Sequence, residues 1–214
     1  MKKFVIGNWK MNGSYKICEE FLNQITSNLL VQTVICPPFL YIQKMIQKIQ
    51  HYEIGAQNCS EVNNGATTGD ISCEMLSEMQ VRYVIVGHSE RRKYHHESFE
   101  KVIGKIHRCI EHNLTPIVCI ENVDEIQYLL PFENKILIAY EPITSIGTGI
   151  VPSNEEITTI FNRIKDIGNF KTLYGGSVNS QNIKKLTQIL NLDGVLVGGA
   201  SLCVNEFNLI IQSF

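Results

Sequence analysis

Short apolar, β-branched runs recur along the whole chain: FVIGNWK, TVICPP, YEIGAQN, YVIVGH, TPIVCI, KILIAYE, KTLYGGS and GVLVGGA. These eight runs are nearly continuous, not strictly alternating, which is how strands read when helices cover both faces of a parallel sheet. Most are followed by a segment with helical spacing. Tyr15 to Leu30 places Ile17, Phe21, Leu22, Ile25 and Leu29 near one face, and Glu155 to Ile167 does the same with Ile157, Ile160, Phe161 and Ile164. Pro152-Ser153 reads as a helix start with Ser153 as N-cap; Asn179 begins a further helix, and Val204 to Ile211 forms a closing one. Strand–helix alternation implies parallel pairing through right-handed crossovers.

Two architectures fit that alternation, an open doubly wound sheet and a closed (β/α)8 barrel. Eight units in 214 residues, with no composition break for a second domain, predict an α/β fold of the barrel type, one domain over residues 1–214. The fifth unit is compressed: only 14 residues separate Ile120 from Lys135, room for one short helix.

Composition narrows the function classes. Nineteen basic residues against 21 acidic ones argue against a nucleic-acid or membrane-surface partner. The seven cysteines are odd in number and form no CxxC pair, so a secreted disulfide framework is not expected and a reducing cytoplasm is. The apolar run after Met1-Lys2-Lys3 is too short for a signal peptide, and none approaches the roughly 18 residues of a membrane span.

In parallel strand–helix folds, chemistry sits at the C-terminal strand ends. Those ends hold Asn8 and Lys10, His88, Glu141, Tyr174 through Ser177, and Gly198-Gly199. Asn8 and Lys10 are two apart, so on a strand both project to one side with Trp9 opposite. Ser89-Glu90 reads as a helix start. That places the His88 imidazole beside the positive end of a helix dipole, which favours a neutral ring able to donate a hydrogen bond. His95 and His96 have no partner at metal-ligand spacing and read as surface residues. Pro142 restricts Glu141 to an extended backbone, fixing the direction of a carboxylate at the end of an apolar run. The bland reading of each is a solvated rim charge.

Three glycine-rich segments, IGTG, YGGS and VGGAS, follow the sixth, seventh and eighth runs. Gly147-Thr148-Gly149 is not a dinucleotide fingerprint, because Pro152 occupies the third glycine position, and no GxxxxGK[ST] motif occurs. At one rim the three segments would aim several backbone N–H groups at one anion, as expected for a small phosphorylated substrate.

Together NWKMN, VGHSERR, AYEPITSIGTG, YGGSV and VGGASL closely resemble the triosephosphate isomerase family, a standard illustration of pKa tuning; the match runs from residue 4 to about 202. The resemblance implies interconversion of dihydroxyacetone phosphate and glyceraldehyde 3-phosphate, a step of glycolysis and gluconeogenesis. Glu141 would be the base moving a proton between the carbons beside the carbonyl. Neutral His88 would polarise the substrate oxygens, and Lys10 would supply positive charge to the enediolate. Asn8 would help position the substrate, and Glu90 would link to the lysine end of the site. Backbone N–H groups at Gly147, Gly198 and Gly199, with Ser177, would grip the phosphate. Residues 142–149 would form a lid that excludes water, latched by Tyr174. No metal or organic cofactor is implied. QNCSEVNNGATTGDIS resembles the loop by which the family forms homodimers, with Thr68 touching the partner's site near Asn8 and Lys10. The residues alone make Glu61 to Gly69 only a polar loop.

Four departures from the family pattern stand out: Thr144-Ser145 in the lid, Thr67 in the dimer loop, CIEN at 119–122, and the short fifth unit. The first would alter lid kinetics, the second weaken dimerisation, and the last two cost stability. Two other readings are a different sugar-phosphate isomerase and a catalytically weakened paralogue kept for binding or regulation.

Overall fold

The computed structural model describes residues 2–47, 51–142 and 152–214. Eight parallel strands close into a barrel in chain order: β1 (Lys3–Asn8), β2 (Val31–Cys36), β3 (Glu53–Ala56), β4 (Tyr83–Val86), β5 (Thr115–Ile120), β6 (Leu137–Tyr140), β7 (Lys171–Tyr174) and β8 (Gly194–Val197). All eight apolar runs supply one strand each. The barrel closes where Phe4 pairs with Gly194. A Cβ at Gly194 would lie 2.2 Å from the Phe4 carbonyl oxygen, so only glycine fits this seam.

The pleat divides each strand between two cores. Phe4 and Ile6, Ile85, Ile117 and Cys119, Leu137 and Ala139, Leu173, and Leu196 fill the lumen. Their neighbours Val5, Val84 and Val86, Val118, Ile138 and Val195 pack outward against the helices. Two residues further along the lumen phase come Asn8, Glu141, Gly175 and Gly198, so the alternation that fills the barrel also delivers these residues to its mouth.

The helices are α1 (Tyr15–Gln24), α2 (Phe39–Ile46), α3 (Cys73–Glu78), α4 (Ser89–Tyr94), α5 (Phe99–Glu111), α6 (Asn154–Ile167), α7 (Ile183–Leu186) and α8 (Val204–Ile211). α1 stops six residues short of the expected Leu30. Ile25 turns extended, and Asn208 of α8 ends the helix by donating to the Gln24 carbonyl and accepting from the Thr26 N–H. α7 likewise starts four residues after Asn179, whose side chain instead accepts from the N–H groups of Gln181 and Asn182 and closes a turn.

Ser153 caps α6 as expected and forms a full capping box with Glu156. Ser153→Ala is expected to cost about 1 kcal/mol, since two N-terminal N–H groups lose a reciprocal arrangement. Chemical denaturation should show the loss as a lower midpoint with an unchanged slope.

The short fifth unit is a 3-10 helix, Val123–Phe132, capped by Asn122. Its buried residues are Val123, Ile126, Leu129 and Phe132, an unbroken period of three that matches three residues per turn. At roughly 2.0 Å per residue, ten residues span roughly 20 Å in this form against roughly 15 Å in an α-helix, so the tighter winding carries a short segment between strands. Arg92 secures it, forking Glu125 at 2.6 and 3.2 Å while donating to the carbonyls of Gly87 (2.9 Å) and Cys119 (3.1 Å).

Candidate active site

A cavity of about 160 Å³ opens at the C-terminal ends of the strands, lined by Asn8, Lys10, His88, Glu141 and the glycine-rich ends of β7 and β8. The construction begins at β1. The strand ends at Asn8, and Lys10 sits in the left-handed region with φ +53°. The two side chains therefore reach one cavity through a turn and not, as the spacing suggested, by both lying on the strand. Trp9 points away, fully buried against Phe21.

A left-handed lysine backbone costs about 1–3 kcal/mol and persists only where its surroundings hold it. Here both sides are held: the Lys10 N–H donates to Asn8 Oδ1 (3.0 Å), and Gln57 Nε2 donates to the Lys10 carbonyl and to that of Cys36 (both 2.9 Å). Lys10 Nζ contacts Glu90 Oε1 at 2.6 Å, and its Cε passes 3.6 Å from where a Cβ on Gly198 would be.

His88 is itself the N-cap of α4. Its Nδ1 accepts from the Glu90 N–H at 3.2 Å, which assigns the ring proton to Nε2. Nε2 lies 3.1 Å from Glu141 Oε1, and Glu141 Oε2 accepts from the Ser89 N–H at 3.0 Å. Glu141 is almost completely buried, with its carboxylate drawn against the start of α4. Gly175 makes room for it, since a Cβ there would approach Glu141 Cγ to 3.0 Å.

Behind α4 runs a charged chain. Glu97 pairs with the buried Lys105 and with Arg91 (2.9 Å), and it accepts from the Gly87 N–H (3.1 Å); Lys105 donates onward to Asn58 (2.9 Å). Burial alone would raise the Glu97 carboxyl, but Lys105 and then Arg91 hold it below the usual range. Cys119 lies beneath the cavity with its thiol pushed well up, by burial first and then by the Glu141 charge, so it is not a reactive thiolate.

On the β7–β8 side of the rim, Gly198 precedes a 3-10 turn over Gly199–Leu202, placing the orphan N–H groups of a helix start there. Ser177 lines the same side. Tyr174 is buried at the end of β7, its hydroxyl 2.2 Å from where a Cβ on Gly176 would stand. Glu90 lies on the far side of Lys10, in an adjoining groove of about 270 Å³ with Met11, Phe39 and Tyr94. Thr68 is on the exposed loop after β3 and is not part of the cavity wall. Gly147, Thr144 and Ser145 lie outside the described residues. Sequence reasoning missed Gln57 and Ser89 as supports of Lys10 and Glu141. No spacing marks them: Gln57 acts on backbone carbonyls and Ser89 through its own backbone N–H, contacts brought together only by the barrel.

The arrangement can accept a proton at a buried carboxylate, donate a hydrogen bond from a neutral imidazole, and place positive charge beside both. A family model described as triosephosphate isomerase matches residues 3–214. The chain is 41% identical to the triosephosphate isomerase of Wolbachia sp. subsp. Brugia malayi, covering 99% of this chain and 97% of the relative. It is 41% identical to that of Mycoplasma mobile over 96% of this chain and 97% of the relative, and 34% identical to that of Hahella chejuensis over 99% and 98%.

Proposed function

The chain belongs to the triosephosphate isomerase family and is an isomerase of triose phosphates, and from that premise we propose how its own residues carry the reaction. Glu141 takes the proton from C1 of dihydroxyacetone phosphate and returns it to C2, through an enediolate. His88 donates from Nε2 to the substrate oxygens, exchanging its contact with Glu141 for one with substrate. Lys10 stabilises the developing negative charge, with Glu90 holding its ammonium and Asn8 its backbone in place. The Gly198 and Gly199 N–H groups, with Ser177, receive the phosphate, and Tyr174 latches the lid. The observation that carries this reading is the 3.1 Å contact between His88 Nε2 and Glu141 in a cavity that also holds Lys10. No step calls for a metal or organic cofactor.

A coupled assay with both triose phosphates, beside pentose and hexose phosphates, tests it. Turnover confined to the trioses is expected. Preference for a longer aldose phosphate would move the assignment to another sugar-phosphate isomerase, and barely detectable turnover by a folded protein would favour the weakened paralogue.

A cytoplasmic homodimer is part of the same proposal. Met11, at 97% exposure, stands with Phe39 and Tyr94 along the groove beside Lys10, a surface suited to receiving the Thr68 loop of a second copy. Specific activity should then fall as protein is diluted, in step with loss of the dimer by sedimentation. Activity independent of concentration, in a protein shown to be monomeric, would contradict this.

A further inference from the structure

Three thiols from distant parts of the chain meet away from the catalytic cavity. Cys59 follows β3, Cys73 opens α3, and Cys109 lies on α5, and all three are buried. Cys109 Sγ is 3.7 Å from both Cys59 Sγ and Cys73 Sγ, and all three sulfurs lie within 4.8 Å of one another. Sulfurs bound at about 2.3 Å to one ion stand about 3.8 Å apart in a tetrahedron and about 4.0 Å apart in a trigonal plane. The observed spacings need little adjustment to meet either geometry.

We propose that Cys59, Cys73 and Cys109 form a binding site for one thiophilic cation, Cu+ on the three sulfurs or Zn2+ with a fourth ligand from His112. Soft thiolates select these ions over Mg2+ or Ca2+. His112 stands three residues after Cys109 at the end of α5, hence over the same helix face, and its Nε2 is buried without a hydrogen-bond partner among the described residues. Binding converts three S–H groups to thiolates and releases three protons, so affinity rises with pH.

The site sits at both ends of the loop after β3. Ser60, beside Cys59, already joins the loop's ends through its N–H to the Ile71 carbonyl (2.8 Å) and its hydroxyl to Asp70 (2.8 Å). An ion shared with α5 would fasten that base, two residues from Gln57, to the barrel.

Reduced protein titrated with Zn2+ and, without oxygen, with Cu+, each against a competing chelator, tests the site. One equivalent of at least one cation per chain is expected. Cys109→Ser should weaken it at least about tenfold, while Cys18→Ser and Cys203→Ser, outside the cluster, should not. His112→Ala should weaken Zn2+ but not Cu+. X-ray absorption on the unaltered, loaded chain removes dependence on the variants' folding, and three sulfurs at about 2.3 Å are expected. Failure of both cations to bind at one equivalent, or a first shell without three sulfurs, would overturn the proposal.

Discussion

Glu141→Gln is expected to lower kcat by at least about 10²-fold, with KM changed far less. The carboxylate now accepts from two donors at once, the Ser89 N–H and the Nε2–H of His88. Glutamine keeps the shape but offers one acceptor and sets an NH2 group against the second donor, and it cannot take a proton from carbon. The proposed phosphate contacts come from the loops after β7 and β8 and not from Glu141 itself, so the loss should fall on the chemical step. Glu141→Asp keeps the acid but retracts it by one methylene, and a displacement of about 1 Å at a reacting group costs on the order of 10²-fold. Steady-state kinetics on folded variants decide the matter. A near-normal kcat for Glu141→Gln would remove Glu141 as the base.

The second large effect is on stability. Glu97→Gln should destabilise the fold by about 3–5 kcal/mol, because Lys105 would stay buried and charged with no anionic partner. For a chain of this size that corresponds to a fall in Tm of about 6–20 °C. Adding Lys105→Met should restore part of it by removing the stranded charge. A Tm within a degree or two of wild type would show that the pair is not holding the structure. Because the folded-state pKa of Glu97 is depressed, its contribution is complete above the ordinary carboxylate pKa and is lost as pH falls through the folded value. Acid unfolding of wild type should therefore include a component that Glu97→Gln lacks.

The barrel was legible because eight apolar runs alternate with helical segments, and the rim because its residues stand at the ends of those runs, Asn8 and Glu141 two positions beyond the last lumen residue. Phe4, Ile6 and Asn8, or Leu137, Ala139 and Glu141, are each one face of one strand. What escaped reading depends on contacts across the sequence. Lys10 reaches the cavity through a left-handed turn fixed by Gln57, 47 residues away, and no local pattern shows this. The helix after β1 ends where Asn208 of α8 caps it, far outside any window of local propensity. The period of three in residues 123–132 was present in the chain, but a short apolar run is read as α-helix unless its exact repeat is counted. The thiol cluster was invisible for the same reason as Gln57: its members stand 14 and 36 residues apart and meet only when α5 packs beside the loop after β3.

The central claim is that one carboxylate carries the proton between two carbons. The most direct measurement follows dihydroxyacetone phosphate turnover in D2O by proton NMR, with wild type and Glu141→Gln side by side. A proton resting on a carboxylate exchanges with solvent, so wild type should yield glyceraldehyde 3-phosphate with deuterium at C2. Glu141→Gln should form neither product nor deuterated substrate at a comparable rate. Deuterated product formed by Glu141→Gln at the wild-type rate would contradict the account.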